Sequence, residues 1–105
     1  MPAQTIAVAR IDEIPEGQVK VVVADGKRIA LCNYSGTIYA IDDVCTHDRG
    51  PLGQGELLGS EIECPRHGAR FDVTTGAATR LPAVRPVRTY PVQIKDGQIS
   101  VEVVS

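Results

Sequence analysis

Residues 45–67 read CTHDRGPLGQGELLGSEIECPRH, and the rest of the chain is organised around them. This stretch contains both histidines of the protein, His47 and His67, and two of its three cysteines, Cys45 and Cys64. Each histidine follows a cysteine closely, first as Cys-x-His and then as Cys-x-x-His, and sixteen residues separate the two pairs. We therefore expect two thiolates and two imidazoles to converge on one metal site.

This donor set suits zinc or an iron–sulfur centre rather than magnesium or calcium, which prefer oxygen ligands. Zinc fingers usually pair cysteine with cysteine and histidine with histidine, whereas each pair here supplies one of each. Sulfur and nitrogen can then bind different metal ions, as they do in a Rieske centre. A structural zinc domain with the same four ligands is the alternative, and a colourless protein with one zinc ion would establish it.

The stretch resembles that of the Rieske two-iron, two-sulfide proteins, whose C-x-H and C-x-x-H pairs are matched by Cys45, His47, Cys64 and His67. The resemblance implies one [2Fe–2S] cluster held by these four residues. It places Cys45 and Cys64 on an inner iron, and His47 and His67 on an outer iron near the surface. Electrons would then enter and leave through the histidine edge.

The flanking residues 50–52 and 64–72 match the same family, and the resemblance extends over most of the 105 residues. It implies a single Rieske domain with an all-β fold. That fold has an antiparallel, β-sandwich-like base into which a small cluster-binding subdomain is inserted. The predicted bounds are 1–105 for the domain, 1–44 and 72–105 for the base, and 45–71 for the subdomain.

Apolar and polar residues alternate on both sides of the metal stretch, which is the period of a β-strand. Val19, Val21 and Val23, for example, are expected to share one face of a strand. The pairs Asp25-Gly26, Ser35-Gly36 and Asp96-Gly97 predict hairpin turns between such strands. The predicted strands cover residues 5–9 (an edge strand), 18–23, 28–34, 37–41 and the start of 71–76, followed by a final hairpin around 96–97.

Two further features lie outside the four ligands. Cys32 is expected to pack as a small hydrophobe, and with Cys45 and Cys64 assigned to metal it has no disulfide partner. Residues 81–86 contain two prolines, which disfavour both a helix and a central strand. The Rieske resemblance implies that this segment covers the cluster as a lid, and a plain connecting loop is the alternative.

Length and composition limit the possible functions. A chain of 105 residues with a net charge of −2 predicts one domain and gives no sign of nucleic-acid binding. The first residues lack the pattern of a signal peptide, and no segment approaches the roughly 20 apolar residues of a membrane span. We therefore expect a cytoplasmic protein that binds neither nucleic acid nor membrane.

The resemblance also predicts the reduction potential. High-potential Rieske proteins carry a disulfide between the two loops, together with a serine and a tyrosine that hydrogen-bond to cluster sulfurs. At the matching positions this chain has Gly50 and Arg66 for the cysteines, Ala69 for the serine and Phe71 for the tyrosine. The potential is therefore expected at the low end of the Rieske range, which runs from about −150 to +300 mV.

The two histidines limit the chemistry, because a Rieske oxygenase needs further histidines for a mononuclear iron. The expected function is one-electron carriage rather than catalysis, by a monomer passing electrons from a reductase to an oxygenase or similar acceptor. An accessory subunit of a nitrite reductase and a redox sensor or factor in iron–sulfur metabolism are the alternatives. Between residues 64 and 90 there is one acid, Asp72, and five arginines, which either steer an acidic partner or form a solvated face: Arg66, Arg70, Arg80, Arg85 and Arg88.

Overall fold

The computed structural model describes residues 3–104, and within them the protein is built from strands with no α-helix, which confirms the all-β prediction. One 3-10 turn, Ile11–Glu13, follows the first strand. No helix in this range is long and apolar enough to cross a membrane. The strands are β1 Ala3–Arg10, β2 Val19–Ala24, β3 Lys27–Tyr34, β4 Thr37–Asp42, β5 Glu56–Leu58, β6 Glu61–Glu63, β7 Arg70–Asp72, β8 Ala78–Arg80, β9 Thr89–Tyr90, β10 Val92–Lys95 and β11 Gln98–Val104.

The first of three antiparallel sheets joins the two ends of the described chain in the order β1-β11-β10. The predicted edge strand is β1, and it pairs along β11 from Ala3↔Val104 to Arg10↔Gln98 with one irregularity. The predicted final hairpin is β10–β11. Alternation holds along β11, whose apolar residues Ile99, Val101 and Val103 are buried.

The second sheet has the order β2-β3-β4-β9 and contains the predicted meander. Both hairpins turn on residues with positive φ, Asp25 at 52° and Gly26 at 75°, then Ser35 at 55° and Gly36 at 88°. Two consecutive residues with positive φ match the type I′ turn, whose twist fits the flanking strands. The sequence did not predict β9, which pairs with β4 through Ala40↔Tyr90.

This second sheet is the central layer of the protein, because β3 is buried on both faces. Its residues Ile29 and Leu31 belong to one hydrophobic cluster, which also contains the apolar face of β11. The intervening Ala30 and Cys32 belong to a second cluster, which contains Cys45 and Cys64. The metal stretch is therefore packed against a rigid sheet that is supported from behind.

Val19, Val21 and Val23 lie on one continuous strand, as the alternation predicts, but they are not equally buried. Val19 and Val21 do pack against the second hydrophobic cluster, but Val23 is 61% exposed. β2 is an edge strand, and Val23 stands near its end, two residues before Asp25 of the hairpin turn.

The third sheet has the order β5-β6-β7-β8; its first two strands lie within residues 45–67 and its last two follow them. Its strands are only three residues long, and the sequence predicted β7 but not β5, β6 or β8. The sheet continues to Arg80, so it passes the predicted subdomain boundary at residue 71, and the division into base and subdomain stays a prediction.

Candidate metal centre

The first loop, residues 45–50, leaves β4 and closes back on its own start. The N–H of Cys45 donates to the carbonyl of Gly50 at 2.8 Å, and the N–H of Arg49 donates to the carbonyl of Cys45 at 2.7 Å. These bonds hold the loop without regular secondary structure. They bury Cys45 and leave His47 on the outside.

The second loop, residues 64–69, lies between β6 and β7 and has the same form. The N–H of Cys64 donates to the carbonyl of Ala69 at 2.7 Å, and the N–H of Gly68 donates to the carbonyl of Cys64 at 3.1 Å. Gly68 has a φ of 74°, which a residue with a side chain rarely adopts. Cys64 is buried, and His67 is exposed.

The two loops bring the predicted ligands together as two separate pairs. The sulfur atoms of Cys45 and Cys64 lie within 4.8 Å of each other, and burial raises the pKa of the Cys45 thiol. The ring centroids of His47 and His67 are 5.1 Å apart and meet edge to face. Sulfur therefore lies inside and nitrogen outside, as the resemblance implies, while the binding of a cluster by these residues stays a prediction.

Asp48 lies between these pairs, and sequence reasoning did not single it out. Its carboxylate accepts two hydrogen bonds from Arg66, at 2.7 and 2.9 Å, and one from the N–H of Gly50 at 3.0 Å. The Arg66 guanidinium holds the pKa of this carboxyl well below its usual range. The sequence does place an acid, Asp48, directly after His47 and a basic residue, Arg66, directly before His67, which could have indicated this pair.

The donor set fits a two-iron, two-sulfide centre. A thiol pair and an imidazole pair that face different environments match a cluster whose irons have different ligands. Asp48 has an oxygen near both pairs, but its carboxylate is already engaged by Arg66. The two cysteines and two histidines are therefore the groups that would hold the cluster.

The sequence profile of the Rieske [2Fe-2S] domain matches residues 4–91 of this chain. The chain belongs to the Rieske [2Fe-2S] family. A curated relative, the ferredoxin component of the naphthalene 1,2-dioxygenase/salicylate 5-hydroxylase systems of Ralstonia sp, is 46% identical over 99 residues. That match covers 94% of this chain and 95% of the relative, so the Rieske resemblance is confirmed over nearly the whole length.

Solved structures of Rieske ferredoxins have the same fold. The ferredoxin of carbazole 1,9a-dioxygenase from Nocardioides aromaticivorans IC177 is 38% identical, with a TM-score of 0.89, over 93% of this chain and 96% of that one. A second match comes from a complex of reduced oxygenase and oxidized ferredoxin in carbazole 1,9a-dioxygenase. It is 32% identical, with a TM-score of 0.88, over 92% of this chain and 91% of that one.

The remaining cysteine, Cys32, belongs to the hydrophobic cluster that also contains Cys45 and Cys64. Cys32 is fully buried on β3, its Sγ lies 3.9 Å from the carbonyl of Ala30, and burial raises the pKa of its thiol to about 12. A neutral thiol in an apolar site is a poor metal ligand and a poor nucleophile. Cys32 therefore packs as a small hydrophobe, as the sequence predicted.

The predicted lid, residues 81–86, does contact the first Rieske loop. The hydroxyl of Thr46 donates to the carbonyl of Arg85 at 2.8 Å, and Ala83 is buried in the hydrophobic cluster that contains both loop cysteines. Leu81 and Val84 point outward instead and are 73% and 75% exposed. The segment therefore covers the loop and presents an apolar surface beside it.

The structure divides the arginine excess near the Rieske site into paired and unpaired side chains. Arg66 pairs with Asp48, while Arg70 and Arg80 form ion pairs with the acids of β6. In the described part of the chain, Arg85 has no carboxylate within ion-pair distance, and neither has Arg88, whose guanidinium lies 6.0 Å from the centre of the Tyr90 ring. Three of the five arginines therefore form structural ion pairs, whereas Arg85, whose carbonyl contacts the first loop, and Arg88 have no ion-pair partner among residues 3–104.

Proposed function

We propose that this protein is a low-potential Rieske ferredoxin, a one-electron carrier in which Cys45, His47, Cys64 and His67 bind one [2Fe–2S] cluster. The observation that carries the proposal is the separation of the pairs, with both sulfurs buried and both imidazoles exposed on two closed loops. A Rieske cluster takes up and returns one electron at a time. The buried thiols keep water from one side, and the imidazoles supply a short path to a partner at the other.

The relatives supply the context for the partners. They are ferredoxin components of ring-hydroxylating dioxygenase systems, and one solved relative is held in a complex with its oxygenase. By that similarity this protein receives electrons from a reductase and passes them to an oxygenase or similar acceptor. It does not catalyse the oxygenation itself, because both histidines are engaged in the proposed site. A monomer that works in the cytoplasm suits this role.

The alternatives from the sequence are less well supported. The accessory subunits often lack a full ligand set, whereas all four residues are present here. A sensor would use the same four ligands, so the site alone does not separate it from a carrier. The full-length relatives reported above are ferredoxin components, which favours carriage. A structural zinc domain would not require the thiol pair and the imidazole pair to face different environments.

The low potential is proposed from four residues near the cluster position. Gly50, Arg66, Ala69 and Phe71 stand where high-potential relatives have the disulfide, the serine and the tyrosine. Ala69 and Phe71 are fully buried and have no side-chain group that can donate a hydrogen bond. Donors to cluster sulfur stabilise the reduced, more negative state, so their absence lowers the potential.

A redox titration of the purified protein, followed by electron paramagnetic resonance, tests this function. A rhombic signal that appears on one-electron reduction, with a midpoint near about −150 mV, is expected for a low-potential Rieske cluster. Iron and acid-labile sulfide are measured on the same sample. A colourless, silent protein containing zinc would overturn the proposal, and a midpoint near the top of the range would overturn the low-potential assignment alone.

The free Arg85 gives a prediction about partner docking. With Leu81 and Val84 it forms a surface beside the first loop that has an apolar part and a positive charge. Arg85→Glu is expected to slow electron transfer from the reductase severalfold at low salt, and the difference should shrink at high salt because surface charges are screened. Stopped-flow absorbance of the cluster measures the rate.

The matched control for this experiment is Lys95→Glu, which makes the same charge change on the sheet at the opposite side of the central layer. It should alter the rate much less than Arg85→Glu, since it lies far from the loops. Equal effects of the two variants would indicate a response to net charge and not to a local docking surface.

A further inference from the structure

We propose that Asp48 and Arg66 are positioning residues that hold the two loops together around the cluster and change its potential in opposite directions. This inference rests on the proposed function, because it requires that the loops bind a cluster. Neither residue is one of the four proposed ligands.

Asp48 joins the first loop to the second. Arg66 Nε and Nη2 bind the two carboxylate oxygens of Asp48 at 2.7 and 2.9 Å, and His67 Nδ1 lies 3.4 Å from the same carboxylate. Asp48 thus carries both the bidentate ion pair and the histidine contact between residues 45–50 and 64–69. A bidentate arginine–carboxylate pair also fixes orientation, which a single hydrogen bond does not.

Gly50 makes this pair possible. A Cβ atom at Gly50 would overlap Nη2 and Cζ of Arg66, so the guanidinium occupies the space that a side chain would fill. The Gly50 N–H donates to Asp48 at 3.0 Å, and its carbonyl accepts from Cys45 at 2.8 Å. Arg66 therefore packs against the backbone of the first loop at Gly50 and binds the carboxylate of Asp48.

The guanidinium of Arg66 packs against Gly50, so this contact lies at the two positions that the resemblance assigns to the disulfide of high-potential relatives. Here the link between the loops is non-covalent and runs from Asp48 to Arg66. A cellular reductant cannot cleave it, whereas a disulfide at that place would be open to thiol exchange. The chain thus keeps a link between its loops that does not depend on the redox state of the surroundings.

The charges of Arg66 and Asp48 are expected to shift the midpoint potential in opposite directions. Arg66 Nη2 lies 3.6 Å from the sulfur of Cys64, so its positive charge favours the reduced cluster, which carries one more negative charge. The Asp48 carboxylate lies beside His67 and opposes that added charge. Removing Arg66 should therefore lower the midpoint, and removing the charge of Asp48 should raise it.

The experiment compares Asp48→Asn, Arg66→Leu and the double variant, each loaded with its cluster. Release of the cluster to an excess of chelator, followed by visible absorbance, is expected to be about two- to fivefold faster in each single variant, as suits a partly exposed ion pair. The double variant should release no faster than the worse single variant, because both remove the same contact. Midpoints are measured by the titration described above.

Three controls make the result specific. Arg66→Lys keeps the charge but not the bidentate contact, so its release should be fast and its midpoint close to that of the wild type. Gly50→Ala should push the guanidinium away from Asp48, so its cluster should be released about as fast as in Arg66→Leu. Arg70→Leu breaks an ion pair that joins β6 to β7 and not the loops, and its release rate should match the wild type.

Each outcome has one meaning. A wild-type protein that binds no cluster overturns the proposed function. A wild-type protein that binds its cluster, with single variants that release it at the wild-type rate, overturns the positioning role. Midpoints that move in the same direction in Asp48→Asn and Arg66→Leu overturn the opposite effects of the two charges.

Discussion

Cys64→Ala is expected to give a colourless protein that retains almost no iron, whereas Cys32→Ala should give a coloured protein with about two irons. Cys64 would supply a thiolate directly to an iron, and neither Asp48 nor Cys32 can replace it. Asp48 is engaged by Arg66, and Cys32 is buried as a neutral thiol on β3. Iron and sulfide analysis, with the visible spectrum, measures the loss.

The fold itself should survive the loss of Cys64. The backbone bond from Cys64 to Ala69 does not need the side chain, and the sheets remain paired. Far-ultraviolet circular dichroism checks this point. The Cys32→Ala control should cost about 1 kcal/mol of stability by removing one buried atom from a packed core, with no effect on iron content. Full iron retention in Cys64→Ala would contradict the ligand assignment, and so would its loss in Cys32→Ala.

Adding the two missing hydroxyls, as Ala69→Ser with Phe71→Tyr, is expected to raise the midpoint by roughly 50–100 mV. A hydrogen bond that is about 1 kcal/mol stronger to the reduced cluster raises a one-electron potential by about 40 mV, and two such bonds are introduced. Both positions are fully buried in the same hydrophobic cluster as Cys45 and Cys64. The added hydroxyls therefore face little competition from water.

The size of that shift is measured in the same titration as the wild type, and the single variants should each give about half of it. Phe71→Leu is the matched control, because it disturbs the packing without adding a donor. It should lower stability and leave the midpoint near the wild-type value. A double variant whose midpoint stays still or falls would contradict the hydrogen-bond explanation of the low potential.

The sequence predicted those parts of the fold that depend on local rules. The apolar residues of β11 alternate because one face is buried, and Asp25-Gly26 and Ser35-Gly36 form turns because both residues of each pair adopt positive φ. The ligand pairs were also visible, since a short Cys–His spacing needs only one tight loop. Local patterns of this kind survive without knowledge of the partner strands.

What the sequence did not predict depends on contacts between distant segments. Strands of two or three residues, such as β5 and β9, are too short to show alternation and exist because a neighbouring strand pairs with them. The pair Asp48–Arg66 spans eighteen positions and forms only when the two loops meet. Likewise, the arginine excess could not be divided into paired and free residues until the acids of β6 were placed.

The burial of β3 on both faces has a consequence for how the protein would acquire its iron–sulfur cluster. The hydrophobic cluster formed by β11 and one face of β3 contains none of the four proposed ligands, so its packing energy is available to the chain before any iron arrives. The first two sheets, which contribute to this hydrophobic cluster, can then form in the newly made protein before the metal site is filled. The iron–sulfur cluster would then be inserted into a partly folded apoprotein with an open metal site, and not into an unfolded chain that proteases can cleave.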